Sequence, residues 1–235
     1  VSYDNQKNTD ALKFFKLSDS LINRHDPYLK KYVFSLVMEG KIKQSIKQLK
    51  KFSGKKSSDF FEAYLILTLD SVKKKNFKKG NRYLNELSRF KENSTFELII
   101  YESLKNYIYL FENKQTLLNN NTLGNLSLIS KMFHSCYLGE KATQTHFENL
   151  VNSGEDNYSR YIFFYINYLI EQNQLNKAKE ITDQIDILNS SLLVAQTKNW
   201  IDEKEFEKFN QIFSCKNETD VLSEFFFLIA NIYSS

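Results

Sequence analysis

Between Pro27 and Phe52 the chain runs PYLKKYVFSLVMEG and then KIKQSIKQLKKF, and this doublet limits what the rest can fold into. Leu29, Tyr32, Val33, Leu36 and Val37 recur at the three-and-four spacing of one helical face. Pro27, the single proline, suits the first helical position, where a missing N–H costs nothing. Gly40 follows the last periodic residue, where a left-handed cap favours glycine. Ile42, Ser45, Ile46, Leu49 and Phe52 then restart the period. The spacing predicts two short amphipathic helices joined by a tight turn.

The same unit recurs along the chain. Asn8–Arg24 reads as one helix, and Ser58 as the cap of a long helix, Asp59–Lys75, that Asn76 ends. Phe77–Phe90 turns back, and Ser94 caps Thr95–Glu112, whose return over Lys114–Asn120 is short and irregular. Asn125–Leu138 pairs with Glu140–Val151 about Gly139, Tyr158–Gln172 with Leu175–Ile187, and Ser190–Ile201 with Lys204–Phe213; a last helix starts near Thr219. First helices therefore begin near 28, 58, 95, 125, 158, 190 and 219. A helix–turn–helix period of roughly 30–35 residues is that of a solenoid. One proline, six glycines and almost no alternating apolar–polar run also favour helix throughout. The expectation is an all-α fold, an α-solenoid of stacked antiparallel hairpins forming one array over 1–235. Its units lie near 1–26, 27–56, 57–93, 94–123, 124–157, 158–188, 189–216 and 217–235.

The second helices carry a small residue and then a larger one four positions on: Ser45/Leu49, Gly80/Leu84 and Ala178/Thr182, with Ile42, Phe77 and Leu175 opening them. Ala11/Phe15 fits as well, and Ala230/Tyr233 fits a small-then-aromatic spacing in a first helix. In these features the array resembles divergent tetratricopeptide repeats, more narrowly those of alphaproteobacteria. It departs from them where Val33 and Ile166 stand in place of the family's glycine. The resemblance implies a bacterial, non-enzymatic scaffold that receives a protein or peptide in a concave groove lined by first helices. By position, Lys30, Phe34, Phe163, Asn167, Phe227 and Asn231 would face that groove. The chain opens on a second helix and closes on a first, as an interior fragment of a longer array would.

Charge divides unevenly. Residues 1–91 hold 21 Lys and Arg against 9 Asp and Glu, or +12; residues 92–235 hold 11 against 19, or −8. The lysine runs Lys41–Lys56 and Lys73–Lys79 make RNA binding by the basic half the alternative function, with nucleic acid the lesser partner. A third reading is the recognition arm of an enzyme whose catalytic domain lies elsewhere. No catalytic, cofactor or metal residue is expected. His134 and Cys136 are two apart on a helix and point to different sides, and with His146 they read as packing or surface groups. Asp183/Asp186 and Glu203/Glu207 read as solvated faces. Cys136 and Cys215 lie far apart without a framework, so neither a disulfide scaffold nor a metal site is indicated. Tyr161–Ile170, the longest apolar run, is about half of a membrane span. No signal peptide is visible in a chain that starts at Val1; the cytoplasm is favoured, with the periplasm open if a leader precedes. Six Asn-X-Ser/Thr sequons follow from the Asn-rich composition.

Overall fold

A computed structural model of the chain describes residues 8–18, 27–117, 125–152, 160–186 and 190–234. Among them are thirteen α-helices and no strand, so the all-α expectation holds. In order they are α1 (Asn8–Leu17), α2 (Pro27–Met38), α3 (Ile42–Lys51), α4 (Phe61–Lys73), α5 (Phe77–Leu87), α6 (Thr95–Asn113) and α7 (Asn125–Leu138). There follow α8 (Thr143–Val151), α9 (Tyr161–Glu171), α10 (Leu175–Asp183), α11 (Leu192–Asp202), α12 (Glu207–Ile212) and α13 (Glu218–Ser234). They group into two compact units, Val1–Ile108 and Tyr109–Ser235, with the boundary inside α6.

One turn recurs in both units. In the first, Gly40 sits at φ 68°; its N–H donates to Val37 O (2.9 Å) and that of Lys41 to Leu36 O (2.8 Å). These two bonds satisfy carbonyls that a helix end leaves open. Lys75, at φ 54°, closes α4 in the same way, through Lys75 N–H to Val72 O (2.8 Å) and Asn76 N–H to Ser71 O (2.9 Å). The second unit repeats the motif at Gly139, Asn173 and Lys204, where the longer bonds run from Glu140 to Ser135, Gln174 to Leu169 and Glu205 to Trp200. Five residues past the left-handed position stand Ser45, Gly80 and Ala178, all buried. A small side chain there lets the second helix approach the first. In α12 the equivalent position is the buried Phe209.

Neighbours in sequence are neighbours in space within each unit. In unit 1, α2 packs on α1 and α3, and α4 on α3 and α5; Leu29, Val33, Leu36, Leu49, Ala63 and Leu67 join one core. In unit 2, α9 packs on α8, α10 and α11. Its residues Tyr161, Phe163, Phe164, Tyr165, Ile166, Asn167 and Leu169 are all buried, as a helix apolar on every side requires. Phe163 stacks on Phe209 (centroids 5.8 Å) and Phe164 meets Phe213 edge-on (4.6 Å).

Several local expectations change. Ser58 does not cap α4. It lies in a 3-10 turn, Lys56–Ser58, with its hydroxyl 2.7 Å from Phe52 O and 2.9 Å from Lys55 O, and the extended Phe60 precedes the helix. The helix drawn over Asn8–Arg24 ends at Leu17, and 19–26 lie outside the described residues. Ser94 does cap α6, its hydroxyl accepting the Glu97 N–H at 3.2 Å and donating to the Glu97 carboxylate at 3.3 Å, and Asn217 accepts the Thr219 N–H at 2.9 Å ahead of α13.

The largest correction concerns the cysteines. Cys136 and Cys215 form a disulfide, Cα–Cα 5.9 Å, across 79 residues. It ties the last turn of α7 to the segment before α13. That segment is also held by Lys216 Nζ on the carbonyls of Cys136 (2.6 Å) and Tyr137 (2.9 Å), and by Asn167 Nδ2 on Phe213 O (2.7 Å). Pairing across such a distance is decided by the fold, and spacing in the sequence carries no trace of it.

Candidate functional site

In unit 1, α2 and α4 share a surface. Lys30 Nζ lies 3.1 Å from the Glu62 carboxylate and over the rings of Phe34 (5.6 Å) and Phe60 (5.7 Å). Lys30 and Phe34, one turn apart, are both half-buried, so a strip of charge over aromatic carbon faces outward. The remaining positions assigned to the groove are placed differently. Phe163 is fully buried against Phe209, and Asn167 is buried with its amide on Phe213 O. Phe227 is 43% exposed, with the Arg160 guanidinium 4.1 Å from its ring, and Asn231 is exposed one turn on. Arg160 is itself fixed by two bonds of 2.9 Å to the buried Glu224.

A second feature of unit 1 was not foreseen. Between the 53–56 loop, the start of α4 and the end of α5 lies an open recess of about 430 Å³. Arg89, in the lining, is engaged by protein groups: it pairs with Asp59 and with Glu86 at 3.1 Å, and donates to the Tyr64 hydroxyl at 3.3 Å. Tyr64 donates to Asp59 at 3.0 Å, and burial together with that bond pushes its phenol up to about 12, so it stays protonated. The lining also includes Lys55, Lys56, Arg82 and Tyr83. Arg82 is exposed and makes no ion pair or hydrogen bond among the described residues, while the Lys55 ammonium lies over the Phe52 ring at 5.2 Å. Arg82, Glu86 and Arg89 stand four and three apart. That spacing puts them on one face of α5 and was the signal available in the sequence.

Unit 2 contains two polar nodes. Glu148 accepts from Lys177, from Gln144 (3.1 Å) and from Tyr165 (2.8 Å), which holds its carboxyl down at about 2. Ser135 Oγ donates to Glu140 (2.7 Å) and lies 3.0 Å from His146 Nδ1. Nucleophilic catalysis needs the imidazole between hydroxyl and carboxylate, whereas here the hydroxyl is in the middle, and it is buried. His134 is depressed to about 4 by burial, against a smaller opposing pull from Glu140. Among the described residues no three His, Cys, Asp or Glu converge as a metal site, and no helix is long and apolar enough to cross a membrane.

Comparison with family models, curated proteins and solved structures returns no match.

Proposed function

We propose that the chain is a non-enzymatic interaction scaffold, a solenoid of tetratricopeptide-like hairpins that holds a segment of a partner protein along its first helices. The observation that carries this reading is the Lys30–Glu62 pair over Phe34 and Phe60, which makes one recognition strip of two successive first helices. Aromatic carbon beside paired charge is a surface of the kind that anchors protein partners. The recurring turn at Gly40, Lys75, Gly139, Asn173 and Lys204 supports a repeated unit with the register of such an array. RNA binding by the basic half is the less supported reading. A disulfide such as Cys136–Cys215 persists in oxidising compartments rather than in the cytosol.

The test is affinity capture with the full chain and with Phe34→Glu, followed by mass spectrometry. A polypeptide retained by the parent and lost with Phe34→Glu is the expected result. Retention unchanged by the substitution removes the first-helix strip as the binding face. Capture of RNA that ribonuclease abolishes puts the alternative first.

A further inference from the structure

We propose that the recess of unit 1 binds an acidic saccharide, a separate site from the first-helix strip. Its cations outnumber its anions, Lys55, Lys56, Arg82 and Arg89 against Asp59 and Glu86, so the ligand carries negative charge. Arg89 is already committed to Asp59 and Glu86, which leaves the unpaired Arg82 as the fork for a planar carboxylate, with Lys55 beside it. A charge-only ligand is poorly served by the rest of the cavity. Asp59 and Glu86 also line the cavity, and each carboxylate has more acceptor positions than its bonds to Arg89 and Tyr64 fill, so a ligand beside them is best served by donors. Sugar hydroxyl groups supply them, whereas a side-chain carboxylate brings no donor and phosphate adds negative charge beside Asp59 and Glu86. Tyr83, half-buried against the core with the Lys79 ammonium 5.9 Å from its ring, leaves part of that ring in the lining as apolar surface for the C–H face of a sugar. At about 430 Å³ the recess falls within the range of small-ligand sites. Hydroxyl donors for Glu86, a carboxylate for Arg82 and an apolar face for Tyr83 coincide in a uronic-acid ring.

The experiment is calorimetric titration of the full chain with di-galacturonic acid, its neutral counterpart galactobiose, inorganic phosphate and a pentaglutamate peptide. Saturable binding of di-galacturonic acid at one site is expected, at least about tenfold tighter than galactobiose. Arg82→Ala should lose about tenfold, whereas Lys78→Ala, which removes the same charge one turn outside the recess, should change nothing. Glu86→Ala separates hydroxyl recognition from charge: it should weaken di-galacturonic acid while strengthening phosphate, since the same change removes an acceptor and a repulsion. Circular dichroism confirms that each variant is folded, and these are helix-surface positions. Four results overturn the assignment: no saturable binding, equal affinity for galactobiose, equal losses in Arg82→Ala and Lys78→Ala, or a Glu86→Ala gain for every anion. Preferential binding of pentaglutamate overturns it in favour of an acidic peptide.

Discussion

Unit 1 carries 22 Lys and Arg against 12 Asp and Glu, a balance of +10, whereas unit 2 carries 10 against 16, or −6. Both are built from the same hairpin and the same left-handed turn, yet they are held together differently. Unit 1 contains no cysteine, and several of its ion pairs are partly exposed: Lys50 and Lys74 share Asp70, and Arg89 takes Asp59 and Glu86. Unit 2 adds a disulfide, a bidentate Arg160–Glu224 pair and a central aromatic helix. The difference teaches that a repeat with little intrinsic specificity can be fixed by covalent and buried contacts in one place. Elsewhere it can rest on partly exposed ion pairs.

The largest effect separating the units should come from the disulfide. Closing a 79-residue separation is worth about 4.5 kcal/mol in the chain-entropy picture, so Cys136→Ser with Cys215→Ser should destabilise unit 2 by that order. Trp200, the only tryptophan and a buried residue of unit 2, reports the change in urea melts. Unit 1, followed by hydrogen exchange of α2–α5, should not respond.

Acid should widen the same gap. The His134 pKa in the fold, about 4, lies below its ordinary 6.5, so the unfolded chain takes the proton first. This stability is fully present above about 6.5 and is lost as pH falls towards 4, a change on the order of 3 kcal/mol for a buried group. Unit 1 has no histidine among its described residues. A Trp200 urea midpoint that is flat over this window would show that His134 is solvated.

Packing gives two smaller contrasts. Ala178 is fully buried at the hairpin approach of unit 2, and Ala178→Leu should cost about 1–3 kcal/mol by overpacking. Its counterpart in unit 1, Gly80, has room: an added Cβ would meet Val72, Ile108 and Ser71 at ordinary distances of 3.7–3.8 Å. Gly80→Ala should therefore stabilise unit 1 by about 0.5–1 kcal/mol through helix propensity. A loss on Gly80→Ala, or a neutral Ala178→Leu, would break the shared register.

Much of the frame was legible in the sequence because it is written locally. Pro27 opening α2, Gly40 at the turn, Asn76 closing one helix and capping the next, and the buried Ser45, Gly80 and Ala178 all act within a few residues of themselves. Non-local features were not legible. Nothing near Cys136 indicates Cys215. Ser58 has the composition of a cap but is drawn into a 3-10 turn by the Phe52 and Lys55 carbonyls. The site was legible only in part. Lys30 and Phe34 are half-buried side by side, but Phe163 is absorbed by the aromatic core that its own helix generates. The recess depends on Asp59 meeting Arg89 across 30 residues.

Partner binding on the first helices of unit 1 is tested most directly by a photo-crosslinking residue at position 34 of the full chain, with position 47 on the exposed side of α3 as the control. Illumination in an extract of the source cells should give one polypeptide adduct at 34 and none at 47. Equal labelling at both positions, or adducts at 47 alone, would contradict recognition along the first helices.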